Sequence, residues 1–222
     1  MRFGKIGATQ MMYHWKNPYI TDGLVAMWDG EWNTGGGKHD ASATTWTEIV
    51  SNTKQNIGNG NLFNDNSLVI TNTTGVYLPT KDLINNNAGF SIECVGYTRD
   101  ASSTILLSGL QGGEYTVWAY WTTSASLVTA FGNYSYGWIK GYLPSHALSS
   151  AITYDGTKGT VYFPSVNTKQ SYVYTFTSSQ TQDIRVGGGN KNLYALRLYN
   201  RALTASEIAA NYAVDKLRFN LP

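Results

Sequence analysis

The stretch Asn192–Phe219, NLYALRLYNRALTASEIAANYAVDKLRF, joins a strand pattern to a helix pattern and decides how the rest of the chain is interpreted. Its first part, Leu193–Tyr199, mixes apolar and aromatic residues with few turn formers, which is typical of a β-strand. Thr204 and Glu207 then form the S/T-x-x-E pattern of a capping box, in which each side chain binds a backbone N–H at the start of a helix. The stretch therefore predicts a strand followed by a helix.

The helix pattern has one apolar face, and many strand patterns precede it. The apolar residues at helical spacing are Ala205, Ile208, Ala209, Tyr212 and Ala213. Regularly spaced strand-forming runs with turn formers between them are typical of a β-sandwich or barrel. We expect strands near residues 23–29, 46–50, 68–71, 75–78, 90–98, 104–109, 115–122, 126–131, 147–154, 159–164, 171–176, 183–187 and 193–199. A single late helix predicts a lid on a sheet sandwich.

Three stretches carry a family resemblance: Leu193–Tyr212, the run Gly23–Asp29 with Thr45–Ile49 after it, and the hairpin Ala151–Phe163. Together they resemble the laminin-G-like, concanavalin A-type lectin/glucanase domains found in bacterial surface proteins and phage virion proteins. The resemblance implies an all-β fold, a two-sheet antiparallel jelly-roll sandwich with a short C-terminal α-helix. Such sandwiches serve as lectins, enzymes and structural modules alike, so the resemblance implies a fold more than a function.

Composition excludes several classes of function. Charged residues make up 14% of the chain, against roughly 25% in an average soluble domain. The net charge is only +2 and no basic run is present, so we expect no nucleic-acid partner. No stretch approaches the roughly 20 apolar residues of a membrane span. The single cysteine, Cys94, excludes an internal disulfide and falls in a strand pattern, which predicts a buried, inert thiol.

Residues 1–21 match nothing in the sandwich pattern, and we expect them to form an N-terminal docking arm before one sandwich domain at residues 22–222. Apolar residues make this arm unlike a free tail: Met11, Met12, Tyr13, Trp15 and Tyr19. Two interpretations stay open, contact with a neighbouring subunit or packing on the domain's own flank. Because the start lacks an apolar core of signal-peptide length, we expect synthesis in the cytoplasm without a signal peptide and a place on a virion or extracellular surface assembly.

The acidic residues do not form a recognised hydrolase pattern. Glycoside hydrolysis needs two carboxylates across one bond. Enzymes of the resembled family carry them as a Glu-x-Asp-x-(x)-Glu run on one strand, and none of the 14 acidic residues here falls in such a run. Glu93 and Glu114 each stand alone, and Asp29 with Glu31 lacks a third partner. The sequence therefore predicts no catalytic residues and a protein that is not an enzyme, with a glycoside hydrolase of dispersed carboxylates as the open alternative.

A glycine-rich loop offers candidate metal ligands. Asp29, Asn33 and Asp40 supply the oxygen atoms that calcium prefers, with His39 beside them, and the resembled sandwiches often hold calcium at the sheet rim. The alternative is that the two acids cap turns, as Asp does in many such loops. Calcium is the one cofactor that the sequence suggests.

Aromatic residues form the most suggestive cluster. The candidate ligand-binding residues are Tyr115, Trp118, Tyr120, Trp121, Tyr134, Tyr136 and Trp138. In a strand, Trp118 and Tyr120 share one face while Trp121 lies on the other. Rings of this kind stack on the C–H faces of sugars while neighbouring polar groups bind the hydroxyls. Core packing and subunit contact are the alternatives.

These patterns together predict a non-catalytic recognition or adhesion module. We expect a phage virion appendage, fibre or decoration protein that binds cell-surface glycans, contacts other virion proteins through its N-terminal arm and forms a homo-oligomer. The rival hypothesis is a purely structural virion assembly protein that binds no glycan.

Overall fold

The computed structural model describes residues 16–71, 75–81, 83, 88–98, 104–111, 114–121, 126–133, 139–142, 148–173, 183–187 and 191–221. Within them the strands are β1 Leu24–Asp29, β2 Thr45–Thr47, β3 Lys54–Asn56, β4 Leu62–Phe63, β5 Leu68–Ile70, β6 Val76–Leu78, β7 Phe90–Thr98, β8 Thr104–Gln111, β9 Glu114–Trp121, β10 Ser126–Asn133, β11 Ile139–Tyr142, β12 Leu148–Tyr154, β13 Lys158–Phe163, β14 Thr168–Val173, β15 Ile184–Val186 and β16 Lys191–Tyr199. A 3-10 turn spans Pro164–Val166, and the helix α1 spans Ala205–Phe219.

The predicted β-rich fold with one C-terminal helix is confirmed. Every predicted strand has a counterpart, whereas β3, β4 and β11 were not predicted. The strand β3 ends and β4 lies within residues 56–66, a stretch in which the sequence predicts no strand. In the described residues no helix is long and apolar enough to cross a membrane.

The strands form two large antiparallel sheets and one small one. The eight-stranded sheet has the order β14-β13-β12-β7-β16-β5-β4, with β1 also paired to β16; the six-stranded sheet has the order β11-β10-β9-β8-β15-β6, and β2 pairs with β3. The strand β16 is central because β7 runs along one edge while β1 and β5 share the other. The first and last strands therefore meet inside one sheet.

The apolar core joins the two large sheets. Trp28 and Leu196 come from the eight-stranded sheet, Leu78 and Val186 from the six-stranded one, and all four are at most 2% exposed. Cys94 lies in the same cluster, where burial raises the pKa of its thiol to about 12. The predicted burial of this thiol is thereby confirmed, and its inertness stays a prediction.

The helix begins as predicted but buries a different face. In the capping box, Thr204 Oγ1 accepts the Glu207 N–H at 3.3 Å and the Glu207 carboxylate accepts the Thr204 N–H at 2.8 Å. The predicted apolar face is wrong, since the three alanines are exposed and only Ile208 of that set is fully buried. The buried residues are Ile208, Asn211, Asp215 and Phe219.

The helix covers the outer face of the eight-stranded sheet, the face turned away from the core. Phe219 packs with Val95 and Ala195, and Ile208 packs in the same cluster as Ala151. The helix is therefore a third layer on the sheet rather than a closure of the core between the sheets.

The described end of the N-terminal segment packs on this layer. The Tyr19 hydroxyl donates to Asp215 at 2.8 Å, and the Ile20 N–H donates to Asn211 Oδ1 at 2.9 Å. Arg218 binds Tyr19 from the last helical turn, with 2.6 Å between Nη1 and the hydroxyl oxygen. Tyr19 and Ile20 thus lie on the domain's own flank, while the first fifteen residues fall outside the described part of the chain and their docking role stays a prediction.

Candidate functional site

The outer face of the six-stranded sheet carries two described side chains that can meet a ligand. Tyr77 lies between the buried core residues Val76 and Leu78, so strand alternation turns it away from the core, and it is 52% exposed. Arg185, its cross-strand partner on β15, is half-buried, and its guanidinium carbon lies 5.8 Å from the centroid of the Tyr77 ring. The pair presents a ring and a cation on one surface.

Strand register extends this face to the predicted aromatic positions. Residues directly opposite each other in paired strands share a face of the sheet. Arg185 pairs with Ser108, and Ser108 pairs with Trp118, so position 118 is on the face of Tyr77 and Arg185. Tyr120 is two residues further along β9, with regular pairing to β10 between them, and takes the same face. Position 121 takes the opposite face.

A β-bulge changes the face of a third aromatic position. Gly109 pairs with Val117, but the next residue, Leu110, pairs with Tyr115, so β9 holds one extra residue there. An extra residue reverses the alternation beyond it. Position 115 therefore shares the face of Trp118, although strict alternation would place it opposite.

We call the surface formed by Tyr77, Arg185 and positions 115, 118 and 120 the aromatic face. Three other candidates, Tyr134, Tyr136 and Trp138, lie outside the described residues, and β9 is described by its backbone alone. The role in binding of these three candidates and of the aromatic residues on β9 stays a prediction. Sequence reasoning missed Tyr77 and Arg185, although each is the outward residue of a short apolar strand, V-Y-L and I-R-V.

The candidate calcium ligands have protein partners. Asp29 accepts both Arg218 Nη1, at 2.8 Å, and Nη2, at 3.0 Å, and burial raises its pKa although Arg218 opposes the shift. Asn33 Oδ1 accepts the Asp40 N–H at 2.9 Å, and Asp40 Oδ1 accepts the Ser42 hydroxyl at 2.6 Å. These contacts favour the turn-capping interpretation.

The described residues contain no group of three or more His, Cys, Asp or Glu side chains that could hold a metal ion. Arg218 forms an ion pair with Asp29 and so occupies the carboxylate that calcium would need. The sequence did not reveal this partner.

A pocket of about 190 Å³ lies where the β13–β14 hairpin meets α1, and we call it the hairpin pocket. Its lining residues are Tyr162, Phe163, Pro164, Asn167, Lys169, Ala205, Ile208, Ala209 and Tyr212. Tyr162 and Tyr212 are half-buried, whereas Asn167 and Lys169 are exposed. Sequence reasoning missed this pocket because its two sides lie far apart in the chain.

The strongest electrostatic feature is a buried ionic cluster between β7, β16 and α1. Arg197, 1% exposed, donates through Nε to Glu93 at 2.8 Å and through Nη1 to Asp215 at 2.9 Å. Asn211 Nδ2 also donates to Glu93, at 2.8 Å. The Tyr19 ring covers the guanidinium, with its centroid 4.1 Å from the Arg197 carbon.

Ionisable groups of this cluster have strongly shifted pKa values, but a ligand has no access to them. Burial raises the pKa of Glu93 despite the nearby Arg197. Burial alone would lower the pKa of Arg197, yet the charges of Asp215 and Glu93 hold it well above its usual range. Shifted groups mark either active sites or structural networks. Since Arg197, Glu93 and Asp215 are each at most 3% exposed, the cluster fastens the helix to the sheet rather than meeting a ligand.

Similarity to known proteins is found in structure alone. No protein-family model and no curated protein matches this chain. Trypanosoma rangeli sialidase in complex with 2,3-difluoro-KDN aligns with a TM-score of 0.68 and 16% identity over 88% of this chain and 33% of the sialidase. The binding domain of botulinum neurotoxin serotype D aligns with a TM-score of 0.65 and 11% identity over 90% of this chain and 52% of that chain.

The receptor binding domain of botulinum neurotoxin type G is similar in the same way, with a TM-score of 0.61 and 11% identity over 87% of this chain and 52% of that chain. At such identities the similarity shows a shared sheet-rich fold. The chain spans about a third of the sialidase and about half of the toxin chains.

The sialidase structures correct one prediction. The sequence predicted a protein that is not an enzyme, whereas one third of an enzyme chain, the Trypanosoma rangeli sialidase, aligns with 88% of this chain. That prediction is wrong, because a missing Glu-x-Asp-x-(x)-Glu run does not exclude catalysis by proteins that contain this fold.

Proposed function

We propose that this protein is a glycan-binding domain and that the aromatic face is its binding surface. The observation that carries the proposal is the cross-strand register, which brings Tyr77 and Arg185 onto one outer face with positions 118 and 120. Aromatic rings stack on the apolar faces of sugars, and a guanidinium donates several hydrogen bonds to hydroxyl or carboxylate oxygens. The exposed half of Tyr77 gives a ligand access.

The fold supports this proposal. We infer that the two large sheets form a jelly-roll sandwich of the laminin-G-like, concanavalin A type, because one apolar core joins them and the C-terminal strand and helix match that pattern. The structural neighbours include a sialidase in complex with sialic acid and a receptor binding domain of a toxin. The first of these two names includes a sugar as the bound ligand.

A glycan-array screen tests the proposal. We expect wild-type protein to bind a defined subset of glycans and the Tyr77→Ala/Trp118→Ala variant to lose that binding. Leu217→Ala, at an 87% exposed helix position away from the sheet face, is the matched control and should bind as wild type. The screen is run with and without calcium, since a calcium requirement would restore the predicted metal site. Absence of binding by folded wild-type protein would overturn the proposal.

We further propose that the domain belongs to a virion or surface assembly and oligomerises through the segment before residue 16. The apolar residues of that segment support this role. The test compares solution masses of the full chain and of a chain starting at residue 16, which keeps the Tyr19 contacts. A monomer in both cases would remove the assembly role, while an oligomer without glycan binding would favour the purely structural rival.

A second candidate function is part of a glycan-processing enzyme. The similarity to sialidases favours it, although the chain spans only a third of their length. Release of sialic acid or of reducing sugar from mixed glycans is the test. Turnover that survives in Tyr77→Ala/Trp118→Ala would place catalysis elsewhere, and no turnover would leave binding as the function.

A further inference from the structure

We propose that the hairpin pocket is a second binding site, specific for a single sugar unit that carries a carboxylate. This inference rests on the proposed function in that its ligand is a sugar, but it concerns other residues on the opposite sheet.

The size suits one ring. A volume of about 190 Å³ is below the roughly 300 Å³ at which pockets for drug-sized ligands begin. An oligosaccharide would have to continue along the surface, whereas one pyranose unit fills a space of this order. The pocket is therefore a site for a terminal or free sugar.

The walls suit a sugar ring. Tyr162 comes from β13 and Tyr212 from α1, so an aromatic side chain stands on each of the two elements that border the pocket. Ile208 lines it as well and is 2% exposed in the cluster beneath the helix, which supplies an apolar floor. Tyrosines offer a flat apolar ring together with a hydroxyl that can bind a sugar oxygen.

The polar lining suits an acidic sugar. Among the lining residues Lys169 carries a positive charge and none is a carboxylate. Asn167 stands beside it at the end of the 3-10 turn, where a left-handed backbone with φ of 49° holds its position. An ammonium group binds a carboxylate through a charge-assisted hydrogen bond, and an amide binds a hydroxyl. A neutral sugar would gain no such charge-assisted bond.

NMR titration of the full chain with glucuronic acid, sialic acid and glucose tests this inference. We expect the two acids to perturb signals around the pocket and glucose to bind about tenfold more weakly, because it lacks the charge-assisted bond. Lys169→Gln should weaken binding of the acids to the level of glucose. Lys158→Gln, an exposed lysine at the other end of β13, is the matched control and should change nothing.

Two further variants separate this site from the aromatic face. Tyr212→Ala should abolish binding of the acids, with Tyr162→Ala as a second test should the helix be disturbed. Tyr77→Ala/Trp118→Ala should leave binding of the acids unchanged. Four outcomes would each overturn the inference: equal binding of glucose, an unaffected Lys169→Gln variant, loss of binding in Tyr77→Ala/Trp118→Ala, or no binding at all. None of these outcomes would decide the glycan-array result.

Discussion

In the described residues, the outer faces of the two large sheets differ in what covers them, and two arginines show this difference. Arg197 on β16 is 1% exposed beneath α1, with Glu93 and Asp215 as its partners. Arg185 on β15 is half-buried beside the exposed Tyr77. Both stand on the outward side of a strand whose other side faces the core. What distinguishes a structural arginine from one that can meet a ligand is therefore the layer above it, not the strand that carries it.

The first test of this contrast removes each arginine. Arg197→Met leaves two carboxylates buried without their cation, which typically costs about 3–5 kcal/mol of the free energy of unfolding. Arg185→Met removes a half-buried side chain beside an exposed ring and should cost less than about 1 kcal/mol. Urea unfolding at pH 7 measures both. Similar losses in the two variants would mean that the outer faces do not differ in the way that the burial indicates.

Local signals explain why much of the fold could be predicted from the sequence. The strand β16 and the capping box at Thr204 and Glu207 are each set by residues a few positions apart, so a short window reveals them. The strands β3 and β4 are three and two residues long in a polar stretch, which is too short for any alternation to show. The bulge in β9 could not be predicted either, because it is defined by the register of its neighbours.

Long-range partners explain why the sites could not be predicted. Asn211 and Asp215 are polar, so a helical pattern assigns them to solvent, yet Glu93 lies 118 positions from Asn211 and Arg197 lies 18 from Asp215. Only the tertiary fold supplies the partners that make their burial favourable. For the same reason the sequence did not predict the ion pair between Arg218 and Asp29.

The second prediction concerns the start of the covering helix. Thr204→Ala removes the acceptor for the Glu207 N–H and should lower the free energy of unfolding by about 1 kcal/mol. Leu217→Ala, 87% exposed in the last turns of the same helix, should change it by less than about 0.5 kcal/mol. Chemical denaturation compares the two. Equal effects would show that the cap contributes nothing beyond helix propensity.

The third prediction is that the stabilisation contributed by the same helix start depends on pH. The hydrogen bonds from Arg201, followed by the Thr204 N–H, lower the pKa of Glu207 from 4.5 to about 2. A lowered pKa in the folded state means that the stabilisation is complete above pH 4.5 and is lost as the pH falls towards 2. Because the ion pair is partly exposed, we expect about 1 kcal/mol or less.

The pH dependence is measured as a difference between variants. The unfolding free energy of wild type minus that of Glu207→Gln should be constant from pH 7 to about pH 5 and then shrink. Taking the difference removes the contribution of Glu93, whose raised pKa acts in the opposite direction and destabilises the folded state as the pH rises. A constant difference down to pH 3 would contradict the prediction.

The smallest expected effect on stability belongs to the aromatic face. Tyr77→Ala removes a ring that is already 52% exposed, and Trp118 shares that face by register, so each substitution should change the unfolding free energy by less than about 0.5 kcal/mol. Thermal unfolding measures the change in stability, and the glycan-array assay measures binding by the same variants. If Trp118→Ala instead costs about 3–5 kcal/mol, as truncation of a buried aromatic does, the ring is covered by other parts of the protein or by a partner. That result would favour core packing or subunit contact over glycan binding, because a ring cannot be both covered by protein and open to a sugar.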